Sequence, residues 1–167
     1  MDAYNVLIIG SGPAGLFAAM ELERRGLDKI AIIDRNPYPA GGLLNDGKLN
    51  FDYRIGIDLD ELKIDRDAAQ QLMEEIRQVF IRFPKCQQVT FIDKNEKIEA
   101  LGYIAKEHGA QFIAPEQWNW GTDNGKAVVD YLRKRLKKTE FLLGTEVTSI
   151  ERHNDCTYHV ICSRQRK

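Results

Sequence analysis

The chain has 167 residues, with 24 basic and 25 acidic side chains and a net charge of −1. That length suffices for one domain with a sizeable core, in which roughly 70% of the unfolded surface is buried. Near-neutral charge argues against a general attraction to nucleic acid or anionic membrane, and no run of about 18 apolar residues marks a membrane span.

The first element is a strand over Tyr4 to Ile9 that runs directly into Gly10-Ser11-Gly12-Pro13-Ala14-Gly15. This apolar stretch follows Asp2 rather than a basic region, and its glycines and Pro13 belong to a turn, so it does not read as a signal peptide. Gly10 permits the tight turn, Gly12 leaves room for a pyrophosphate to approach the backbone, and Gly15 lets a helix lie close to the strand. Pro13 suits the first helical turn, where its missing N–H costs nothing. The turn presents free backbone N–H groups, that of Ala14 among them, and the positive end of a helix dipole to an anion.

The helix that follows has Leu16, Phe17, Met20 and Leu22 at helical spacing and Gly26 as its C-terminal cap. Lys29 to Asp34 then reads as a buried parallel strand ending in an acid, nineteen positions after Gly15. The dinucleotide fingerprint places its ribose-binding acid about 20 residues on. Strand, turn, helix, strand and acid in this order point to a dinucleotide site, whereas the glycine pattern alone is weak evidence.

Residues Arg35 to Leu62 are dense in Pro, Gly and Asn and read as an extended loop. Asp65 to Phe83 is an amphipathic helix with Ala69, Leu72, Met73, Ile76, Phe80 and Phe83 on one stripe. A short strand at Val89 to Ile92, a helix at Glu96 to His108 and a partner strand at Gln111 to Ala114 follow. Gly121-Thr122-Asp123 caps a helix that ends near Lys138, its basic run from Arg133 to Lys138 read as a solvated face. Phe141 to Leu143 is the third parallel strand. Thr145 to Ile150 and Thr157 to Cys162 pair around His153-Asn154-Asp155.

About a hundred residues separate Asp34 from Phe141, against roughly 30 for a simple βαβ unit. That insertion favours FAD over a nicotinamide dinucleotide. Asp34, the pair Gly41-Gly42 and the late segment Leu143 to Ile150 resemble FAD-dependent oxidoreductases with two dinucleotide-binding domains. The stretch Gly41 to Asn50, the helix at Asp65 to Phe83 and Gly121-Thr122-Asp123 are similar to a group of FAD-dependent dehydrogenases from bacteria and archaea. Two positions depart from it: Asp34 stands where Glu is commoner, and Trp120 where the group carries His before Gly-Thr-Asp.

The resemblance implies that Gly10, Gly12, Pro13, Ala14 and Gly15 meet the pyrophosphate, that Asp34 meets the adenosine ribose and that the backbone at Val147 meets the adenine. It implies a Rossmann-type α/β FAD-binding domain over residues 1–167, with a helical insertion at about 43–120 and an antiparallel hairpin. Such proteins continue with further parallel strands and a Gly-Asp segment over the flavin, so the chain is expected to be a C-terminally incomplete, N-terminal portion of an FAD-dependent oxidoreductase. The competing readings are an NAD(P)-binding dehydrogenase domain and a flavin-binding module without catalysis.

No catalytic side chain stands out, since the flavin carries the hydride and electron chemistry. Arg35 is a candidate for a phosphate; Asp34 would repel an NADP 2′-phosphate. Lys48 has two readings: an ammonium aimed at the flavin or an anionic substrate, and an exposed turn lysine. Trp118 and Trp120 either stack on a flavin or pack in the core. His108, His153 and His159 lack metal-ligand spacing, and no metal site is expected. Cys86, Cys156 and Cys162 are odd in number and lack C-x-x-C spacing, which fits a reducing cytoplasm and buried or partly buried thiols. Expected partners are a small-molecule substrate and NAD(P)H, without nucleic acid or membrane.

Overall fold

A computed structural model of the chain describes residues 2–39, 41–44, 47–84, 87–89, 96–153 and 156–164. Its elements, in chain order, begin with β1 (Val6–Ile9), α1 (Pro13–Arg24), β2 (Ile30–Asp34), β3 (Lys48–Asn50), α2 (Leu59–Leu62), α3 (Arg66–Phe80) and β4 (Gln87–Val89). There follow α4 (Glu96–Glu107), β5 (Gln117–Asn119), α5 (Gly125–Arg135), β6 (Thr139–Leu143), β7 (Thr145–Arg152) and β8 (Tyr158–Arg164). They form two compact units, one of residues 1–45 with 125–167 and one of residues 46–124.

In the first unit β2 lies between β1 and β6, all parallel, with Ile33 opposite Ile9 on one side and Leu142 on the other. Ile30, Ala31, Ile32 and Ile33 are all buried, as an apolar run without alternation requires of a strand covered on both faces. Helix α1 packs on β1 and β2 and touches α5. The α1 side chains Leu16 and Ala19 and the α5 side chains Val128, Val129 and Leu132 are buried. Near the end of α1, the Glu23 carboxylate accepts the N–H groups of Lys137 (3.0 Å) and Lys138 (2.8 Å) and the Thr139 hydroxyl (2.8 Å). The start of β6 is thereby tied to α1.

Helix α5 stops at Arg135 rather than near Lys138, although Leu136 is still buried. Its basic end is partly spent on packing, with the Arg133 guanidinium 4.9 Å from the centre of the Phe141 ring. Beyond β6, β7 and β8 pair antiparallel with an irregularity between Val147 and Ser149, and β7 touches β2. Cys156 and Cys162 are exposed, contrary to the expectation of buried thiols, because both fall on this hairpin, whose Ile150, Tyr158 and Ile161 are exposed as well. Cys86, Asn154 and Asp155 lie outside the described residues.

The second unit is built on an antiparallel sheet in the order β3-β5-β4. Its central strand is Gln117–Asn119, so the expected strand at Gln111 to Ala114 is displaced. Those residues carry no regular secondary structure, and the pairing falls to the residues around the buried Trp118, opposite Leu49 and Gln88. The stretch read as continuous loop is interrupted by a turn of 3-10 helix at Gly41–Leu43, by β3 and by α2; Asn45 and Asp46 lie outside the described residues. The strand expected to reach Ile92 is described from Gln87 to Val89, and residues 90–95 lie outside the described ones.

Helix α3 starts where Asp65 accepts the Ala68 N–H at 2.7 Å, a capping bond that satisfies one of its free donors. Of its expected stripe, Ala69, Phe80 and the following Phe83 are buried, whereas Leu72 is exposed. Phe80 stacks on Trp120 at 5.5 Å, and Phe51 meets Trp118 edge-on at 5.1 Å. Arg77 lies 5.0 Å from the Phe51 ring centre and pairs with Glu116, which also accepts the Trp118 indole N–H at 2.8 Å. Both tryptophans are core residues of this unit.

Candidate dinucleotide site

The site begins where β1 ends. Gly10 takes a φ of +103°, and its N–H reaches the Ile33 carbonyl at 2.8 Å, closing the turn onto β2. Gly12 then stands at the N-cap of α1 without a side chain to cap it, and Pro13 opens the first turn. A helix start of this kind directs N–H groups and the positive end of the dipole outward. Pro13 and Ala14 are exposed there.

Gly12 tests whether a pyrophosphate fits. Its φ of −70° and ψ of −177° suit any residue. A β-carbon would meet Gly41 Cα at 3.7 Å, an ordinary contact. Neither the backbone nor this contact calls for glycine at this position, whereas close approach of a phosphate to the backbone does. Gly15 has a different role. A β-carbon there would lie 2.0 Å from the Gly10 carbonyl oxygen, so helix and turn touch only because none exists.

Asp34 closes the other side of the turn. Its Oδ2 accepts both the backbone N–H of Ser11 at 2.8 Å and the Ser11 hydroxyl at 2.5 Å, and its Oδ1 accepts the Asn36 N–H at 2.8 Å. Partial burial pushes this carboxyl up, but the hydrogen bonds from Ser11 and Asn36 outweigh burial and hold it below the usual range. Ser11 itself is fully buried.

The first unit thus brings together Gly10, Gly12, Pro13, Ala14, Gly15, Asp34 and Gly41. Gly42 follows in the same 3-10 turn, and among the described residues no atom lies within 4 Å of where a β-carbon would stand. Arg35 is exposed. Val147 is half-buried on β7, opposite Cys162. Lys48 belongs to the second unit, where it is exposed and opens β3 opposite Asn119. Sequence reasoning missed Ser11 and Asn36. Ser11 occupies a position that the glycine fingerprint leaves unspecified, and only its contact with Asp34 marks it out.

A parallel sheet ordered β6-β2-β1, a glycine turn into a helix and an acid ending β2 define a Rossmann-type dinucleotide-binding protein. Residues 5–167 match the family described as DAO, FAD dependent oxidoreductase. The chain belongs to this family, whose cofactor is FAD, and the NAD(P) reading gives way to it.

Among solved structures it is similar to L-alpha-glycerophosphate oxidase from Mycoplasma pneumoniae (19% identity, TM-score 0.59, 99% of this chain and 51% of that one). Glycine oxidase from Bacillus cereus is another (16% identity, TM-score 0.54, 96% and 53%). A 40-residue stretch is 48% identical to one subunit of the opine oxidase of Agrobacterium tumefaciens, covering 24% of this chain and 8% of that protein. The chain therefore spans about half the length of those flavoenzymes, and its match takes in only a small part of the opine oxidase polypeptide.

Proposed function

We propose that this chain holds the adenosine pyrophosphate end of FAD for an oxidoreductase that acts on a small organic molecule. Gly10 to Gly15 receive the pyrophosphate, Asp34 the adenosine ribose, and the backbone at Val147 the adenine. Bound flavin supplies hydride and electron transfer; the protein's part is position and electrostatics. NAD(P)H is the proposed electron partner where the enzyme works as a reductase. The observation that carries this reading is Gly12, whose ordinary backbone and 3.7 Å β-carbon contact do not call for glycine, at an uncapped helix start beside the Ser11–Asp34 clasp.

The test compares the wild-type chain with Gly12→Val, using circular dichroism for folding and calorimetric titration with FAD and with ADP for binding. The variant is expected to fold and to lose at least about tenfold in affinity for both nucleotides, because its side chain occupies the ligand's space. Undiminished binding by a folded variant would overturn the assignment of this turn. Turnover with a panel of electron acceptors, NAD(P)H included, then separates an oxidoreductase from a module that keeps FAD without catalysis.

A further inference from the structure

We infer that His153 and His159, at the tip of the β7–β8 hairpin, form a two-histidine site for one divalent transition-metal ion of the class of Ni2+ or Cu2+. The site lies within the first unit and does not depend on the nucleotide reading.

Six positions apart in sequence, the two histidines show none of the familiar metal-ligand spacings. The hairpin brings them together. Glu151 pairs with His159 across the ladder, and the His153 N–H reaches the Thr157 carbonyl at 2.8 Å, which closes the turn. Side chains alternate between faces along a strand, so Glu151, His153 and His159 share one face, with the histidines as diagonal neighbours. Arg152 and Tyr158 take the other face. The two imidazole rings lie with their centres 4.2 Å apart and their planes inclined at 37°.

That separation selects a coordination geometry. A metal–nitrogen bond of about 2.0 Å puts each ring centre about 3.2 Å from a shared ion, so two imidazoles at a right angle stand about 4.5 Å apart and at the tetrahedral angle about 5.2 Å. The observed 4.2 Å falls with the right angle. Right-angle positions belong to tetragonal and octahedral ions such as Cu2+ and Ni2+, both of which suit imidazole; tetrahedral Zn2+ needs a wider pair. Both side chains are exposed, so each ring can turn about its last torsion to aim a nitrogen at the ion. Glu151 adds negative charge on the same face. Among the described residues no group of three His, Cys, Asp or Glu is placed to hold an ion, so water fills the remaining positions.

Calorimetric titration of the wild-type chain with nickel chloride tests this. Ni2+ is the probe because, unlike Cu2+, it does not oxidise the exposed thiols of Cys156 and Cys162. His153→Gln and His159→Gln are each expected to weaken Ni2+ binding about tenfold or more, because either imidazole binds the ion intramolecularly once the other holds it. His108→Gln, which alters the third histidine of the chain, and Cys156→Ser, in the turn between the pair, are each expected to change it less than about twofold.

Absence of Ni2+ binding to the wild type up to about 1 mM overturns the inference. So does a loss confined to one of the two hairpin variants, or a loss of about tenfold in His108→Gln or Cys156→Ser. Proton NMR of the wild-type imidazoles gives a second reading that needs no variant. The ring signals of His153 and His159 are expected to shift or broaden together as Ni2+ is added, while those of His108 stay in place; a response from only one of the pair overturns the shared site.

Discussion

Gly12 and Gly41 stand so close that a β-carbon on Gly41 would lie 2.6 Å from the Cα of Gly12 and 3.3 Å from Cδ of Pro13. Gly41 also takes a φ of +50°, in the left-handed region that other residues enter at a cost of about 1–2 kcal/mol. Gly41 is therefore packed against the glycine turn. Gly41→Ala is expected to lower stability by about 2 kcal/mol or more and to push the turn out of shape. A melting curve and an ADP titration check this, with both expected to worsen; a variant that matched the wild type in both would show that the turn tolerates the side chain.

Gly12 and Gly15 are expected to fail in different ways. Gly15→Ala places a β-carbon 2.0 Å from the Gly10 carbonyl oxygen, so helix or turn must move, at a cost of about 3 kcal/mol or more. Among the described residues a β-carbon on Gly12 meets nothing closer than 3.7 Å, and the backbone is ordinary, so the melting temperature of Gly12→Ala is expected to stay near that of the wild type while nucleotide affinity falls. Urea denaturation beside calorimetry separates the two.

Acid is expected to loosen the first unit. Burial pushes the Glu23 carboxyl up, but the hydrogen bonds from Lys137, Lys138 and Thr139 outweigh it, so Glu23 lies below its ordinary value of 4.5; Asp34 likewise lies below 3.8. As pH falls, the unfolded chain takes up these protons first. Stability is thus full above the ordinary values and is lost as pH drops through the lower, folded ones. Glu23→Gln is expected to cost about 1–2 kcal/mol at neutral pH, and the gap between variant and wild type should narrow as the pH falls below 4.5. Denaturant midpoints across that range measure it; a constant gap would mean that Glu23 carries no charge-dependent stability.

The two tryptophans of the second unit share a ring type but not a hydrogen-bond state. Trp118 donates to Glu116, whereas Trp120 Nε1 is buried without a partner among the described residues. Replacing either by Phe removes similar indole volume. Only Trp118→Phe also breaks a hydrogen bond to a carboxylate, so it is expected to cost about 1–2 kcal/mol more than Trp120→Phe. Equilibrium unfolding followed by circular dichroism gives the difference.

Much of the first unit could be read from local patterns. The strand into Gly10-Ser11-Gly12, the helical spacing of Leu16 to Leu22 and the apolar run into Asp34 each carry their own period, and the structure has all three elements within a residue or two of the expected bounds. The second unit was harder because its strands have three residues each, too short to show alternation. Gln111 to Ala114 carries the more apolar composition, but pairing went to Gln117–Asn119, where Trp118 is buried. Ser11 escaped notice for another reason. Its partner is 23 positions away and becomes visible only when β1 and β2 lie side by side.

The central strand of the nucleotide-binding sheet joins neighbours of very different chain distance: Ile33 pairs with Ile9 nearby and with Leu142 beyond the whole of residues 46–124. Closing a loop costs entropy that grows only with the logarithm of its length, about 0.6 kcal/mol for each doubling. Inserting, trimming or exchanging the interposed unit over evolution therefore shifts the β2–β6 junction by less than one good hydrogen bond. Residues 46–124 can therefore be lengthened or trimmed at little thermodynamic risk to the sheet that carries the turn at Gly10 to Gly15.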